Sequence, residues 1–212
     1  THADTDHING IPALLARFNV GQVVYSPILQ RATAGRELLA MLDKRRIPHR
    51  AAMAGDRLEV GRGNVLDVLA PTDWTLRAVP DDQNNNSLVL SARHGGRRVL
   101  LGADTQEVAA TVLLHAGLDL RSDVLVVPHH GRAMPNAGQF ARAVRPAIAI
   151  CSVRADHLPP ATIAVYQAAG ARVLATCWDG AVTVTIREGD LEVKGWKERP
   201  AANRGLSSRE NP

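Results

Sequence analysis

The chain has 212 residues, 45% of them hydrophobic, and a net charge of +4 with an isoelectric point near 9.6. This length fits one domain with a tail and allows a sizeable core. No apolar run approaches the roughly 20 residues needed to cross a bilayer, and the acidic, histidine-rich start is unlike a signal peptide. Because the chain starts inside a motif and without Met, we expect a piece of a longer protein.

Arginine supplies much of the positive charge and suits contact with phosphate. Taken alone, ordinary surface charge is the simpler explanation. Aromatic residues make up 3% of the chain, which argues against base-stacking platforms. Cys151 and Cys177 lie in apolar, strand-like runs and are expected to be buried free thiols.

The first half of the chain mixes helix and strand patterns. Apolar residues recur at helical spacing over 8–18, "VGQVVYS" predicts a short strand, and 33–46 predicts an amphipathic helix with Thr33 as N-cap. Runs broken by Gly and Asp over 48–79 predict hairpins, and "DDQNNN" predicts a polar turn. "SLVLSARHGGRRVLLGAD" predicts two strands joined by a tight "HGG" turn.

The second half alternates helices and strands. A helix is predicted after Asp104, over 108–118, and further helices over "AGQFARAV" and "PPATIAVYQAAG". Strands are predicted over "DVLVVP", "PAIAICSV", "ARVLATC" and "GAVTVTI". Hairpins beside strand–helix–strand units predict a layered α/β (α+β) domain with mixed sheets. We expect one domain over 1–195 and a disordered basic tail over 196–212.

Ionisable side chains follow the predicted strands at several points. "RVLLGAD" ends at Asp104, "VLVVPHHG" leads to His129 and His130, and "AIAICSVRADH" ends near Asp156 and His157. The opening "THADTDH" lies directly before a helix. Carboxylates and imidazoles on loops at strand ends predict an active site.

The spacing of the opening motif suits a metal site. In an extended loop the side chains of His2, Asp4 and Asp6 would point to one side, while the turn into the helix would bring His7 round. Two divalent ions about 4 Å apart need such ligands and a bridging carboxylate, for which Asp104 is the natural candidate. The ions would provide hydroxide at neutral pH and offset charge on a phosphoryl oxygen.

Each element also has a simpler explanation. The opening motif fits an acidic loop that caps a helix, the histidine pair fits a surface loop, and His157 fits a solvated side chain. Taken singly, Asp104 is better explained as an N-cap. The four elements together favour a metal site. His49, His94 and His115 have no such neighbours and are assigned to the surface or to structure.

The motifs "THADTDHINGI", "NNNSLVL", "RRVLLGAD", "DVLVVPHHG" and "GAVTVTI", in this order, resemble the metallo-β-lactamase-fold domain at the C-terminus of ComEC proteins, the DNA-uptake channels of competent bacteria. The resemblance covers residues 1 to about 187. It implies an αββα sandwich with a binuclear metal centre between the sheet edges. It also implies a nuclease-like role, degrading one DNA strand during uptake, on the extracytoplasmic face of the cell membrane beside a channel region of the same polypeptide.

The resemblance also implies roles for individual residues. Catalysis is assigned to Asp6, Asp104 and His130. The resemblance leaves open which histidine of "PHHG" binds metal and which contacts phosphate. The implied metal ligands are His2, Asp4, Asp6, His7, Asp104 and His129.

The chain departs from related sequences at several points. Arg132 replaces the Ser of "PHHGS" and could clamp a phosphate, and "DHLPP" replaces "GHP" around His157, a second candidate phosphate contact. The family's first strands, with a "DVGQGD" element, are absent, so we expect an N-terminally truncated domain of lower stability and activity. Asp4 stands where the wider superfamily has His. A carboxylate is a harder ligand than an imidazole, so this replacement favours Mn²⁺ over Zn²⁺.

Three functions fit these residues. The leading hypothesis is a metal-dependent phosphodiesterase that binds DNA through its phosphates, without sequence-specific readout because no recognition-helix motif is present. The second is a stand-alone hydrolase of a small phosphoester or ester. The third is a non-catalytic domain of a membrane channel protein, which the complete ligand set argues against. A hydrophobic channel region encoded upstream of Thr1 would favour the first hypothesis over the second.

Overall fold

The computed structural model describes residues 1–61 and 63–197, which form a layered α/β domain. The strands of this described part are β1 Val23–Tyr25, β2 His49–Ala51, β3 Arg57–Glu59, β4 Val65–Ala70, β5 Val89–His94, β6 Arg97–Leu101, β7 Val124–Val126, β8 Ile148–Cys151, β9 Arg172–Ala175, β10 Val182–Arg187 and β11 Asp190–Gly195. The helices are α1 Thr5–Ile8, α2 Ile11–Arg17, α3 Thr33–Lys44, α4 Asp73–Ala78, α5 Glu107–His115, α6 Ala137–Val144, α7 Pro160–Ala168 and α8 Thr176–Asp179.

A seven-stranded mixed sheet, in the order β3-β4-β5-β6-β7-β8-β9, forms the centre of the domain. Strands β3 to β6 pair antiparallel, whereas β6 to β9 pair parallel. Parallel neighbours require crossover connections, and α5, α6 and α7 supply them. The carboxyl ends of β6 to β9 therefore meet at one edge of the sheet, where ligands bind in open α/β sheets.

The two faces of the sheet are covered by different layers. Alternate residues such as Leu100 and Leu125 pack under α5 to α7 with the fully buried Phe140 and Tyr166. The opposite face, including Val124, packs against the hairpin β10–β11 and, further along, against the parallel pair β1–β2. Helices α1 to α3 cover β1–β2 from outside. The predicted layered α/β architecture is confirmed, with a second layer of strands in two separate pieces.

Several predicted elements differ from those observed. The helix predicted over 8–18 is two helices, α1 beginning already at Thr5 and α2 following after Gly10. Of the hairpins predicted over 48–79, β3–β4 is present, but β2 pairs parallel with β1 and 73–78 is helical. Strands of three residues carry too little pattern to reveal their partner. The "HGG" turn joins β5 to β6 as predicted.

The cysteines behave as the sequence predicts in one respect. Neither Cys151 nor Cys177 forms a disulfide; Cys151 is buried in β8, whereas Cys177 lies in α8 rather than in a strand and is half-buried. The disordered tail predicted over 196–212 lies, from residue 198 on, outside the described residues. Within the described part of the chain, we find no helix with the length and hydrophobicity required to traverse a bilayer.

Candidate metal centre

The carboxyl edge of the parallel strands gathers the predicted site residues. Asp104 follows β6, the pair His129 and His130 follows β7, and His157 lies in the turn Ala155–His157 after β8. The opening motif meets them from the covering layer, held by a hydrogen bond from Leu88 N to Thr1 O (3.1 Å). Residues that are more than 120 positions apart in the sequence thus come into contact.

The Asp104 carboxylate lies among four imidazoles. Its Oδ1 is 3.2 Å from His7 Nε2, and its Oδ2 is 3.4 Å from His130 Nε2. The Nε2 atoms of His2 and His129 are each 3.9 Å from Oδ2. The Asp104 side chain is 6% exposed. A buried carboxylate in this position can bridge two cations held by different histidines.

The opening motif is extended up to Asp4 and helical from Thr5, and both parts place side chains near Asp104. His2 is fully buried, and the extended residue Asp4 places its Oδ2 3.4 Å from His2 Nε2. Because α1 begins at Thr5, Asp6 is helical rather than part of an alternating extended loop, which corrects the predicted conformation. Asp6 Oδ2 nevertheless lies 3.7 Å from His7 Nε2 and 3.3 Å from His130 Nε2.

Two tight loops bring Asp104 and the histidine pair together. Ala103, His129 and His130 all adopt left-handed backbone conformations (φ 48°, 50° and 58°), which are costly for residues with a Cβ and recur at functional sites. His129 N donates to Ala103 O (2.9 Å) and fixes one loop to the other. A Cβ at Gly102 would lie 2.8 Å from Val126 O, so this close approach requires glycine.

The Nδ1 atoms of the histidines have partners that orient the rings. Thr1 Oγ1 lies 3.1 Å from His2 Nδ1 and 3.0 Å from His7 Nδ1, which leaves both Nε2 atoms facing Asp104. His130 Nδ1 donates to Ser152 O (2.9 Å), so the lone pair of neutral His130 is on Nε2.

His129 has the opposite arrangement. Gln106 Nε2 donates to His129 Nδ1 (3.3 Å), which places the proton of neutral His129 on Nε2. His130 can therefore bind a cation through Nε2, whereas His129 can donate a hydrogen bond. The sequence analysis had His129 among the implied ligands and left open which histidine of the pair binds metal; the hydrogen bonds favour His130.

The "NNNS" segment supports the centre from beneath, a role that the sequence analysis missed by treating it as a polar turn. Asn85, Asn86 and Ser87 are all buried. Asp104 N donates to Ser87 Oγ (3.2 Å), and Ala109 N, in α5, donates to Asn85 Oδ1 (3.0 Å). Three consecutive asparagines before a predicted strand were the feature of the sequence that could have indicated this role.

Burial and charge shift the ionisation of the centre in opposite directions. Burial lowers the pKa of His2 and of His129, so both favour the neutral form. The hydrogen bond to Asp104 raises the pKa of His130 against its burial. Although burial opposes ionisation, contacts with His130 and His7 hold the pKa of Asp104 below its usual range. The centre combines an ionised carboxylate with imidazoles, the state that binds metals.

The donor set fits divalent cations. His2 Nε2 is buried and has no hydrogen-bond partner, a costly arrangement that a bound cation would relieve. His7 Nε2 and His130 Nε2 lie 3.2 Å apart with Asp6 beside them. Two groups of side chains could each hold one ion, namely His2, His7 and Asp104, and Asp6, His7 and His130. Neither group includes His129.

A cleft of about 520 Å³ adjoins this centre and is lined by both candidate phosphate contacts, Arg132 and His157. Asp6 and His130 form the side nearest the centre. Arg154, which the sequence analysis noted only as part of the overall charge, also lines the cleft, and Arg154 Nη2 is 3.1 Å from Asp156 Oδ2. The cleft therefore joins a cation-binding centre to exposed positive charge.

The chain belongs to the metallo-beta-lactamase superfamily, because that family's model matches residues 1–176. It is 27% identical over 188 residues to the ComE operon protein 3 of Bacillus subtilis (strain 168), which supports the resemblance to ComEC proteins. The match covers 86% of this chain but 23% of the relative, so the chain spans about a quarter of that protein's length.

A solved structure gives independent support for the fold. A protein described as a metal-dependent hydrolase from Parabacteroides distasonis ATCC 8503 aligns with a TM-score of 0.52 at 14% identity, over 82% of this chain and 73% of the other. Together with the family match, this likeness shows that the chain has the metallo-β-lactamase fold.

Proposed function

We propose that this domain is a metal-dependent phosphodiesterase that cleaves DNA without sequence specificity. The observation that carries the proposal is the position of Asp104, which lies within 4 Å of four histidines. One of these, His130, lines a cleft together with Arg132 and Arg154. A phosphodiester carries negative charge, which bound cations and guanidinium groups both offset. Cation-binding groups next to exposed guanidinium groups therefore suit this substrate.

In this proposal His2, Asp4, Asp6, His7, Asp104 and His130 would hold two divalent cations. When bound, the cations would lower the pKa of a water molecule and offset negative charge on the phosphoryl oxygens. Replacing a histidine by Asp4 makes the donor set harder and supports Mn²⁺ over Zn²⁺.

The remaining residues act on the substrate. Arg132, Arg154 and His157 bind the phosphates on either side of the cleaved bond. His129, through Nε2–H, donates a hydrogen bond to a phosphate oxygen, and Gln106 keeps its ring in the required orientation. Ser152 O does the same for His130, so that its Nε2 stays directed at the centre.

We also propose that the domain belongs to a DNA-uptake protein and works on the extracytoplasmic face of a bacterial membrane, degrading one strand. The similarity to a much longer relative and the order of the motifs support this placement. An encoded run of long apolar helices next to this domain is expected, and an adjoining region without them would contradict the placement.

A cleavage assay tests the activity. Purified protein is incubated with fluorescent linear DNA or with bis(p-nitrophenyl) phosphate, in EDTA or with Mn²⁺, Zn²⁺ or Mg²⁺. We expect DNA cleavage with Mn²⁺ and none in EDTA. His115→Ala, on an exposed helical histidine that bonds to Thr111 O, should cleave like the unaltered protein. Hydrolysis of the small diester without DNA cleavage would favour the small-substrate hydrolase, and restoration by Zn²⁺ alone would overturn the metal preference.

A further inference from the structure

A second cleft, of about 340 Å³, opens on the other side of the "PHHG" turn. Buried Thr105 and Tyr166 line it, together with the half-buried side chains Val108 and Met134. A larger share of its lining is apolar than in the first cleft, although Arg132 and Glu107 also line it. It is therefore a different environment within the same site.

The two clefts meet at the candidate centre. Arg132 lines both, and His129, whose Nε2 lies 3.9 Å from Asp104, lines the second. A phosphodiester next to His129 and Arg132 would have the cationic cleft on one side and the more apolar cleft on the other. The chain of a nucleic acid, with a charged backbone and apolar bases, has this alternation.

The second cleft offers both kinds of contact that a nucleobase needs. Val108, Met134 and Pro135 provide apolar surface for the face of a ring. Polar groups are also present, because Gln106 and Arg132 line the cleft. Pockets that bind small molecules combine a mostly apolar lining with a few such polar groups.

We propose that this cleft holds the nucleobase next to the cleaved phosphodiester, and that the domain therefore acts on single-stranded DNA in preference to duplex. The inference rests on the proposed function and names the form of its substrate. A base can enter the cleft from a single strand directly, whereas a duplex must first unpair and unstack it, at a cost of a few kcal/mol.

A binding experiment in EDTA tests the base contact without cleavage. Fluorescence anisotropy compares a single-stranded oligodeoxynucleotide, its duplex, and an abasic deoxyribose-phosphate oligomer of equal length and charge. We expect the single strand to bind at least about fivefold more tightly than the other two, because only the single strand offers an unpaired base to the cleft. Equal binding of the abasic oligomer would overturn the inference.

A cleft-filling variant localises the effect. Ala137→Trp, at the start of α6, places a large side chain in the cleft. It should lower kcat/KM for single-stranded DNA with Mn²⁺ by about tenfold and remove the tighter binding of the single strand over the abasic oligomer in EDTA, while the abasic oligomer binds as before. Ala168→Trp, on an exposed site of α7 outside the cleft, is the matched control and should alter neither. A variant that still binds the single strand more tightly than the abasic oligomer would overturn the inference.

The two proposals fail in different ways. If the domain cleaves both DNA forms with Mn²⁺ at equal rates, the base cleft is wrong and the phosphodiesterase stands. If it binds single strands preferentially in EDTA but cleaves no DNA with any metal, the phosphodiesterase is wrong and the base cleft stands.

Discussion

The two ends of the parallel strands both carry aspartates, but the partners of these aspartates differ. At the amino end, Asp123 accepts from Arg97 Nη1 (3.0 Å) and Arg98 N (2.8 Å), and Asp119 Oδ2 lies 3.3 Å from Arg98 Nη1. At the carboxyl end, the ion-pair partners of Asp104 within the described residues are all histidines. Arginine is always charged, whereas an imidazole can lose its proton to solvent and then bind a metal through the freed lone pair.

This difference separates structural acids from functional ones within one sheet. Because arginine keeps its charge, a carboxylate paired with it is neutralised without any bound cation. Imidazoles around Asp104 leave a negative site that is compensated by protons or by cations. The carboxyl end also carries more backbone strain, since Ala103, His129 and His130 have left-handed backbone there, against Arg145 near the amino end. The comparison predicts that equivalent substitutions at the two ends have different consequences.

The largest contrast is expected between Asp104→Asn and Asp123→Asn. Loss of the Asp104 charge should lower Mn²⁺-dependent cleavage by about 10³-fold, the size seen when a principal electrostatic group is removed. Asp123→Asn should keep cleavage within about twofold, because Asp123 touches no residue of the centre. Initial rates on fluorescent DNA measure both, and similar losses in the two variants would erase the distinction.

A second contrast lies within the histidine pair. His130→Ala should weaken Mn²⁺ binding more than about 100-fold, beyond the 10–100-fold cost of an outer-sphere change, whereas His129→Ala should stay within about tenfold. The reason is the direction of the Nδ1 hydrogen bonds, which leave a lone pair on His130 Nε2 and a proton on His129 Nε2. Calorimetric titration with Mn²⁺ measures both, and the opposite order would restore His129 as the ligand.

The two ends should also respond to pH in opposite directions. Against burial, hydrogen bonds from Arg98 N and Arg97 lower the pKa of Asp123, so its stabilisation exists above about pH 4 and disappears as the pH falls. The hydrogen bond to Asp104 raises the pKa of His130, so its stabilisation exists below about pH 6.5 and disappears as the pH rises.

Urea unfolding in EDTA measures this difference. Asp123→Asn should cost about 1 kcal/mol at pH 7 and less near pH 3, and His130→Gln should cost about 1 kcal/mol at pH 5.5 and less at pH 9, since charged hydrogen bonds at half-exposed sites have this strength. A His130→Gln cost that grows with pH would contradict the assigned contact between His130 and Asp104.

The smallest effect concerns DNA binding. Arg132→Ala and Arg154→Ala should each weaken binding several-fold and reduce the slope of log K against log salt by about one. Arg121→Ala, which removes an exposed arginine paired with Asp119 at the amino end, should leave the slope unchanged. Binding that does not depend on salt would show that the cleft is not a phosphate track.

The sequence was informative wherever a residue type carries chemistry by itself. The clustering of His and Asp identified the opening motif, and their position after apolar runs identified Asp104 and the "PHHG" histidines. The structure brings these groups together. It was uninformative about pairing: β1 and β2, with three residues each, pair parallel across a helix, and no local pattern encodes that choice. The break between α1 and α2 was not predicted either, because the apolar periodicity continues through it.

The roles of neighbours were beyond the sequence for another reason. Gln106, Ser87 and the carbonyl of Ser152 act through single hydrogen bonds whose partners are 17 to 23 positions away. A carbonyl has no identity in a sequence, and a glutamine or serine has many roles. Arg154 likewise looks like any surface arginine until the loop after β8 places it in the cleft.

By itself, then, the sequence determined which side chains can hold cations and that they follow strands of an α/β domain, because residue chemistry and hydrophobic periodicity are local properties. The tertiary structure decided which groups share one carboxylate, which histidine presents a lone pair, and where the clefts open. Those properties depend on distances between distant parts of the chain, which are set by the parallel pairing of β6 to β9 and not by any segment alone.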